Sequence, residues 1–155
     1  MRTARILLLT ACSFIFTGFA YADQDNATYC YVEAGEYYNI SPLLLKGLSK
    51  TESNHNPTAI NYNKNGTIDY GHMQINSSWK DALGKRWDYL GNPCYSTFIG
   101  AWILKQCQIK HGNTWNSVAC YNSGRPLYAL TGDTRKRVEG YVSRVQKAIY
   151  GEDQK

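Results

Sequence analysis

The chain has 155 residues, a formal charge of +5 and five cysteines. That length suits one domain with a real core. The charge is mild and unclustered, which excludes a nucleic-acid footprint but tolerates an anionic polymer.

The first residues, MRTARILLLTACSFIFTGFAYA, join a basic start, a short apolar run and a small-x-small ending at Ala20-Tyr21-Ala22. This is the pattern of a secretory signal peptide, too short for a membrane span. Residues 1–22 are expected to be removed, leaving a periplasmic domain over residues 23–155 that begins at Asp23. Removal takes away Arg2 and Arg5 and no acid, so the charge falls from +5 to +3. A lipoprotein box ending at Cys12 is the rival reading, but apolar residues continue past it. No second apolar segment is long enough to cross a bilayer, so no stable membrane insertion is expected after cleavage.

Residues 28–38 read as a first helix. In NISPLLLKGLS, Ser41 can cap free N–H groups and Pro42 fits the first helical position, so a second helix is expected over 42–53. Asn54, His55, Asn56 and Pro57 end it. Counting back from Glu52 at helical spacing gives Leu48, Leu45 and Leu44 on one face, which puts the glutamate on the apolar stripe. Desolvation and the negative end of the helix dipole should then raise its pKa towards what a general acid needs. A glutamate that snorkels to water or pairs with Lys50 or Lys46 is the plainer alternative.

From Tyr62 to Ile75 an Asn-Gly turn and alternating residues suggest a small hairpin or irregular loop. Helix returns near 77–83. Asn92-Pro93 starts a long helix carrying Phe98, Ala101, Trp102 and Leu104, stopped by Gly112; Thr114 opens a short helix closed by Ser123-Gly124. A last helix carries Val138, Tyr141, Val142, Val145 and Ile149. Thirteen tyrosines and four tryptophans serve equally as core filler or as the aromatic lining of a sugar cleft.

After cleavage Cys30, Cys94, Cys107 and Cys120 remain. An even count in an exported chain implies disulfides, and four cysteines allow three pairings. No CxxC pair supports zinc. On one helix Cys94 and Cys107 would stand about 20 Å apart, beyond disulfide reach. Cys107 and Cys120 lie symmetrically about the turn at 111–114, which favours pairing them and leaves Cys30 for Cys94. Cys30–Cys107 with Cys94–Cys120 is the runner-up.

Glu52-Ser53 at a helix end, DYGHMQIN at 69–76 and ACYNSG at 119–124 resemble, in type, order and spacing, the three signatures of the soluble lytic transglycosylase domain. The nearest likeness is to small single-domain members encoded with secretion systems, conjugation machines and pili, and it covers about residues 28–146. The resemblance implies a mainly α, α+β lysozyme-like fold: a compact helical domain with a small irregular or hairpin segment lining the cleft. It implies Glu52 as catalytic acid beside Ser53, with Gly71, Met73, Gln74 and Ile75 matching the Gly-Leu-Met-Gln signature. His72 replaces the usual leucine. Tyr121 and Asn122 match Ala-Tyr-Asn, where the tyrosine orients the acid and the asparagine contacts substrate; Cys120 replaces a small residue before them. Tyr141 and Val142 resemble a weaker fourth element lining the cleft, with Arg137 where an acid is usual. Ser53, Gly71, Met73, Gln74, Ile75, Tyr121, Asn122 and Tyr141 are thus expected to bind substrate.

The activity implied is cleavage of the MurNAc-GlcNAc β-1,4 bond of peptidoglycan to a 1,6-anhydromuramoyl product. Glycan strands are the expected substrate and components of a secretion, conjugation or pilus machine possible partners. A monomer is expected, with no cofactor, no metal and no nucleic acid. Two alternatives stay open: a hydrolytic lysozyme in which Asp69 positions water, and a catalytically weak wall-binding assembly module. A metal site using His55, His72 and His111 lacks HExxH or comparable spacing.

Overall fold

The computed structural model describes residues 28–151. The expected signal peptide and the start at Asp23 lie outside them. The order is α1 (Tyr31–Tyr38), α2 (Pro42–Ser53), β1 (Ile60–Tyr62), β2 (Ile68–Tyr70), β3 (Ile75–Asn76), α3 (Lys80–Leu83), α4 (Pro93–His111), α5 (Trp115–Ser123) and α6 (Gly132–Tyr150), with short 3-10 turns at Ser77–Trp79, Gly84–Tyr89 and Leu127–Ala129. The fold is mainly α, lysozyme-like, with one small antiparallel sheet.

The expected single helix over 28–38 is interrupted at Cys30, whose backbone is left-handed, with φ 55° and ψ 38°. Helix α2 has the predicted bounds. Pro42 stands in its first turn, and Asn54 ends it in the left-handed conformation, which an asparagine tolerates better than most residues. Leu45 and Leu48 are fully buried and Leu44 partly so. Helix α2 packs chiefly against α6, and Gly47 permits it: a Cβ there would stand 2.6 Å from Ile149 Cγ1.

Helix α4 begins as read, with Asn92 accepting from the Tyr95 amide at 2.9 Å and Pro93 in the first turn. Its buried face includes Ala101 and Leu104; Phe98 and Trp102 are only partly buried. Gly100 admits Met73, whose Cε would lie 2.5 Å from a Cβ at that position. Disulfides join Cys30 to Cys94 and Cys107 to Cys120, the pairing favoured by helix geometry. The second one clamps α4 to α5, and the first ties the start of α4 to the residue before α1.

In place of a lone hairpin, three strands pair antiparallel in the order β1-β2-β3. The third strand is only two residues long, too short to show a sequence period. The register sets Asp69 opposite Asn61 on one side and Asn76 on the other.

Candidate active site

Glu52 lies in the last turn of α2, and its carboxyl lines a cleft of about 960 Å³ between the sheet and helices α4, α5 and α6. The Tyr141 hydroxyl, from α6, donates to Glu52 Oε1 at 2.5 Å. Among the described residues Glu52 has no ion pair, so the plainer alternative of a lysine partner is not taken. Burial pushes the Glu52 pKa up from 4.5 to about 7. The Tyr141 bond and the Arg144 charge oppose that rise, and the Asp69 charge adds to it. The outcome is the one expected of a carboxyl on an apolar stripe: neutral through mildly acidic pH, with a proton to give.

Asp69 lines the same cleft from β2. Its Oδ2 accepts from Asn61 Nδ2 at 3.1 Å and Asn63 Nδ2 at 2.9 Å, and its Oδ1 from Asn76 Nδ2 at 2.6 Å. The two carboxyls of the cleft therefore stand in opposite environments, one starved of donors and one surrounded by them.

The remaining lining is rich in amides and hydroxyls, joined by Trp79 and Tyr121. Amides both donate and accept, which suits the N-acetyl groups of an amino sugar. Asn122, exposed in the last turn of α5, has no side-chain partner among the described residues and offers its whole amide to the cleft. Gln74 offers less, because its Nε2 already donates to Gly71 O at 2.9 Å and Ala59 O at 3.3 Å. Its carbonyl oxygen is left to accept.

Comparison with known proteins decides the family. The family model described as "Transglycosylase SLT domain" matches residues 29–140. The chain belongs to the SLT transglycosylase family. Among its relatives, Protein IpgF of Shigella flexneri is 35% identical over 119 residues, covering 72% of this chain and 76% of that protein. The Invasion protein IagB of Salmonella typhimurium is 36% identical over 112 residues, or 70% of this chain and 69% of the relative. A putative peptidoglycan-binding-like protein of Escherichia coli K12 is 32% identical over 157 residues, covering 93% and 94%.

Within this SLT domain the signature residues divide into two groups. Glu52, Gln74, Ile75, Tyr121 and Asn122 line the cleft, whereas Ser53, Gly71, Met73 and Tyr141 do not. Met73 is fully buried against Gly100, and Ile75 shows only 1% of its surface. Gly71 has φ 76°, and a Cβ would meet Leu90 O at 2.9 Å, so the position is a backbone requirement. Ser53 Oγ donates to His72 O at 3.0 Å. Ser53, Gly71 and Met73 thus lie behind the cleft wall and do not line it.

The tyrosines exchange parts. Tyr121, expected to orient the acid, donates instead to Met73 O at 2.7 Å and so fastens the cleft floor to α5. Tyr141, expected to line the cleft, is 3% exposed and holds the acid. An 89-residue separation leaves no local pattern from which that contact could be read.

His72, the departure from the usual leucine, is fully buried and satisfied. Its Nε2 lies 2.9 Å from Pro93 O, which can only accept, so Nε2 carries the proton. Nδ1 is then free to accept from Ser49 Oγ at 2.8 Å. Ser49 in turn accepts from His55 Nδ1 at 2.9 Å. Burial lowers the His72 pKa from 6.5 to about 4, so the ring stays neutral. His111 lies apart, with Nδ1 on the Tyr128 hydroxyl at 3.2 Å. The three histidines do not converge on a common point among the described residues.

Proposed function

We propose that this protein is a periplasmic lytic transglycosylase that cuts the MurNAc-GlcNAc β-1,4 bond of peptidoglycan and opens the wall locally for a secretion, conjugation or pilus apparatus. The observation that carries this reading is Glu52: a carboxyl with its pKa near 7, held by one tyrosine and facing an amide-lined cleft. The names of two relatives, an invasion protein and a peptidoglycan-binding-like protein, support the setting and the substrate. Export accords with the two disulfides, and among the described residues no helix is long and apolar enough to cross a membrane.

Protonated Glu52 gives its proton to the glycosidic oxygen as the bond to C1 of the muramyl sugar breaks. The carboxylate so formed then takes the proton of the same sugar's C6 hydroxyl, whose oxygen closes on C1. A 1,6-anhydro ring results, Glu52 regains its proton, and no water is consumed. Because the nucleophile belongs to the substrate, proximity supplies its effective concentration and no second protein nucleophile is needed. Asp69, across the cleft, would stabilise positive charge at C1 through space.

The same Asp69 favours a second reading, in which it positions a water and the enzyme hydrolyses the bond, as two-carboxylate glycosidases do. Digestion of purified peptidoglycan followed by mass spectrometry separates the two. Transglycosylation leaves anhydro ends lighter by one water than the reducing ends left by hydrolysis. Reducing ends that vanish in Asp69→Asn would replace the first reading with the second. Intact strands with wild type would leave a wall-binding module.

A further inference from the structure

The cleft contains more positive charge than a sugar backbone can use. Lys64 in the β1–β2 turn, Lys110 in the last turn of α4 and Arg137 in α6 all line it, and all three are exposed. They come from three separate parts of the fold. Arg137 follows two cations already engaged on α6, Arg135 with Glu139 and Lys136 with Asp133. Neither Arg137, Lys64 nor Lys110 has a carboxylate within ion-pair distance among the described residues. The cleft's own acids do not balance them. The lining has two acids against three cations: Asp69, whose oxygens are held by Asn61, Asn63 and Asn76, and Glu52, which is without charge when it is ready to act as an acid.

We infer that these three cations bind carboxylates carried on the muramyl residues, so that the cleft selects strands by their anionic side branches as well as by their sugars. The inference rests on the reading of the cleft as a glycan site and names the chemical class it recognises. The N-acetyl groups and hydroxyls of the backbone are neutral, and the amides of the cleft suffice for them. The negative charge of peptidoglycan lies on the carboxylates of its stem peptides, or on the lactyl carboxylate of a muramyl residue that has no stem, and these project sideways from the strand. Cations on the cleft walls, reached from three directions, fit branches and not the chain itself. Each contact is exposed and so worth only about 2–5-fold in affinity. Three together give roughly a 10-fold preference or more, weakened by salt because the Debye length is about 8 Å at physiological ionic strength.

The test measures binding of the full mature chain carrying Glu52→Gln, which holds substrate without cutting it. Sedimentation with purified sacculi is compared before and after carbodiimide amidation of their carboxylates. Untreated sacculi are expected to bind roughly 10-fold tighter at low salt. Adding Lys64→Gln, Lys110→Gln and Arg137→Gln should bring the two substrates within about twofold, and each single substitution should remove a few-fold of the preference. The control is Lys85→Gln with Lys147→Gln, which removes charge from exposed positions outside the cleft and should leave the preference in place. A preference that survives the triple substitution, or disappears in the control, overturns the inference. Wild-type cleavage of untreated sacculi is scored separately, so loss of the enzymatic reading is not mistaken for loss of this one.

Discussion

Two buried ionisable side chains flank the last turns of α2, and they are buried in different ways. Behind the helix, His72 is fully enclosed and both ring nitrogens have partners, Ser49 and the Pro93 carbonyl, with Thr97 alongside at 3.3 Å. In front, Glu52 has one side-chain hydrogen bond among the described residues, from Tyr141, and otherwise faces a cleft. Desolvation moves both pKa values towards the neutral form, His72 down to about 4 and Glu52 up to about 7. The shifts alone therefore do not distinguish structure from chemistry; the number of satisfied partners does. A group whose hydrogen-bonding capacity is filled from within the protein holds the fold, and one left partly open towards a cleft has capacity for a substrate.

The largest effect should come from Glu52→Gln. The volume stays and the transferable proton goes, so turnover on peptidoglycan should fall by about 10³-fold or more while the protein stays folded. Retained activity would reduce Glu52 to a second His72.

Next is His72→Ala. It leaves a cavity and takes the partner from Ser49 and Pro93 O, for a loss of about 2–4 kcal/mol in urea unfolding. The pH dependence sharpens the contrast. Because the His72 pKa is depressed, the unfolded chain binds the extra proton, and stability present above about pH 6.5 is lost as pH falls through about 4. For Glu52 the sign reverses. The native state keeps a proton that the unfolded chain has released, so its contribution is full below about pH 4.5 and lost as pH rises through about 7. Unfolding curves of His72→Leu and Glu52→Gln across this window should each lack one slope.

Tyr141→Phe should lower turnover by about 10-fold, the worth of one hydrogen bond to a reacting carboxyl. That bond lowers the Glu52 pKa, so its loss should move the alkaline limb of the pH–rate profile upward. Tyr121→Phe, which loses only a contact to Met73 O, should leave the limb in place. The smallest effect is expected for Asp69→Asn, less than about 10-fold if substrate supplies the nucleophile. A loss as large as that of Glu52→Gln would join Asp69 to the chemistry.

Much of this was legible before the structure. Local signals sufficed for α2, where Pro42 and Asn54 bound the helix and the leucine spacing places Glu52 on its inner face. Helix rise excluded Cys94 from Cys107, and the placing of Cys107 and Cys120 about the turn at 111–114 favoured the pairing found over the runner-up. What escaped depends on contacts between distant segments. The third strand is too short to show a period, the left-handed Cys30 breaks a run that reads as helix, and the positions of Tyr121 and Tyr141 follow from the packing of α5 against α4 and α6 and of α6 against α2. His72 is a further case: a polar residue in an apolar slot signals nothing until Ser49 and Pro93 are seen beside it.

The central claim is that Glu52 remains protonated near neutrality because its surroundings do not satisfy its charge. Carbon-13 NMR of protein labelled at glutamate carboxyls, with Glu52→Gln to assign the signal, measures this directly. The Glu52 carboxyl should titrate with a midpoint at about 7, and a midpoint near the ordinary 4.5 would contradict the account.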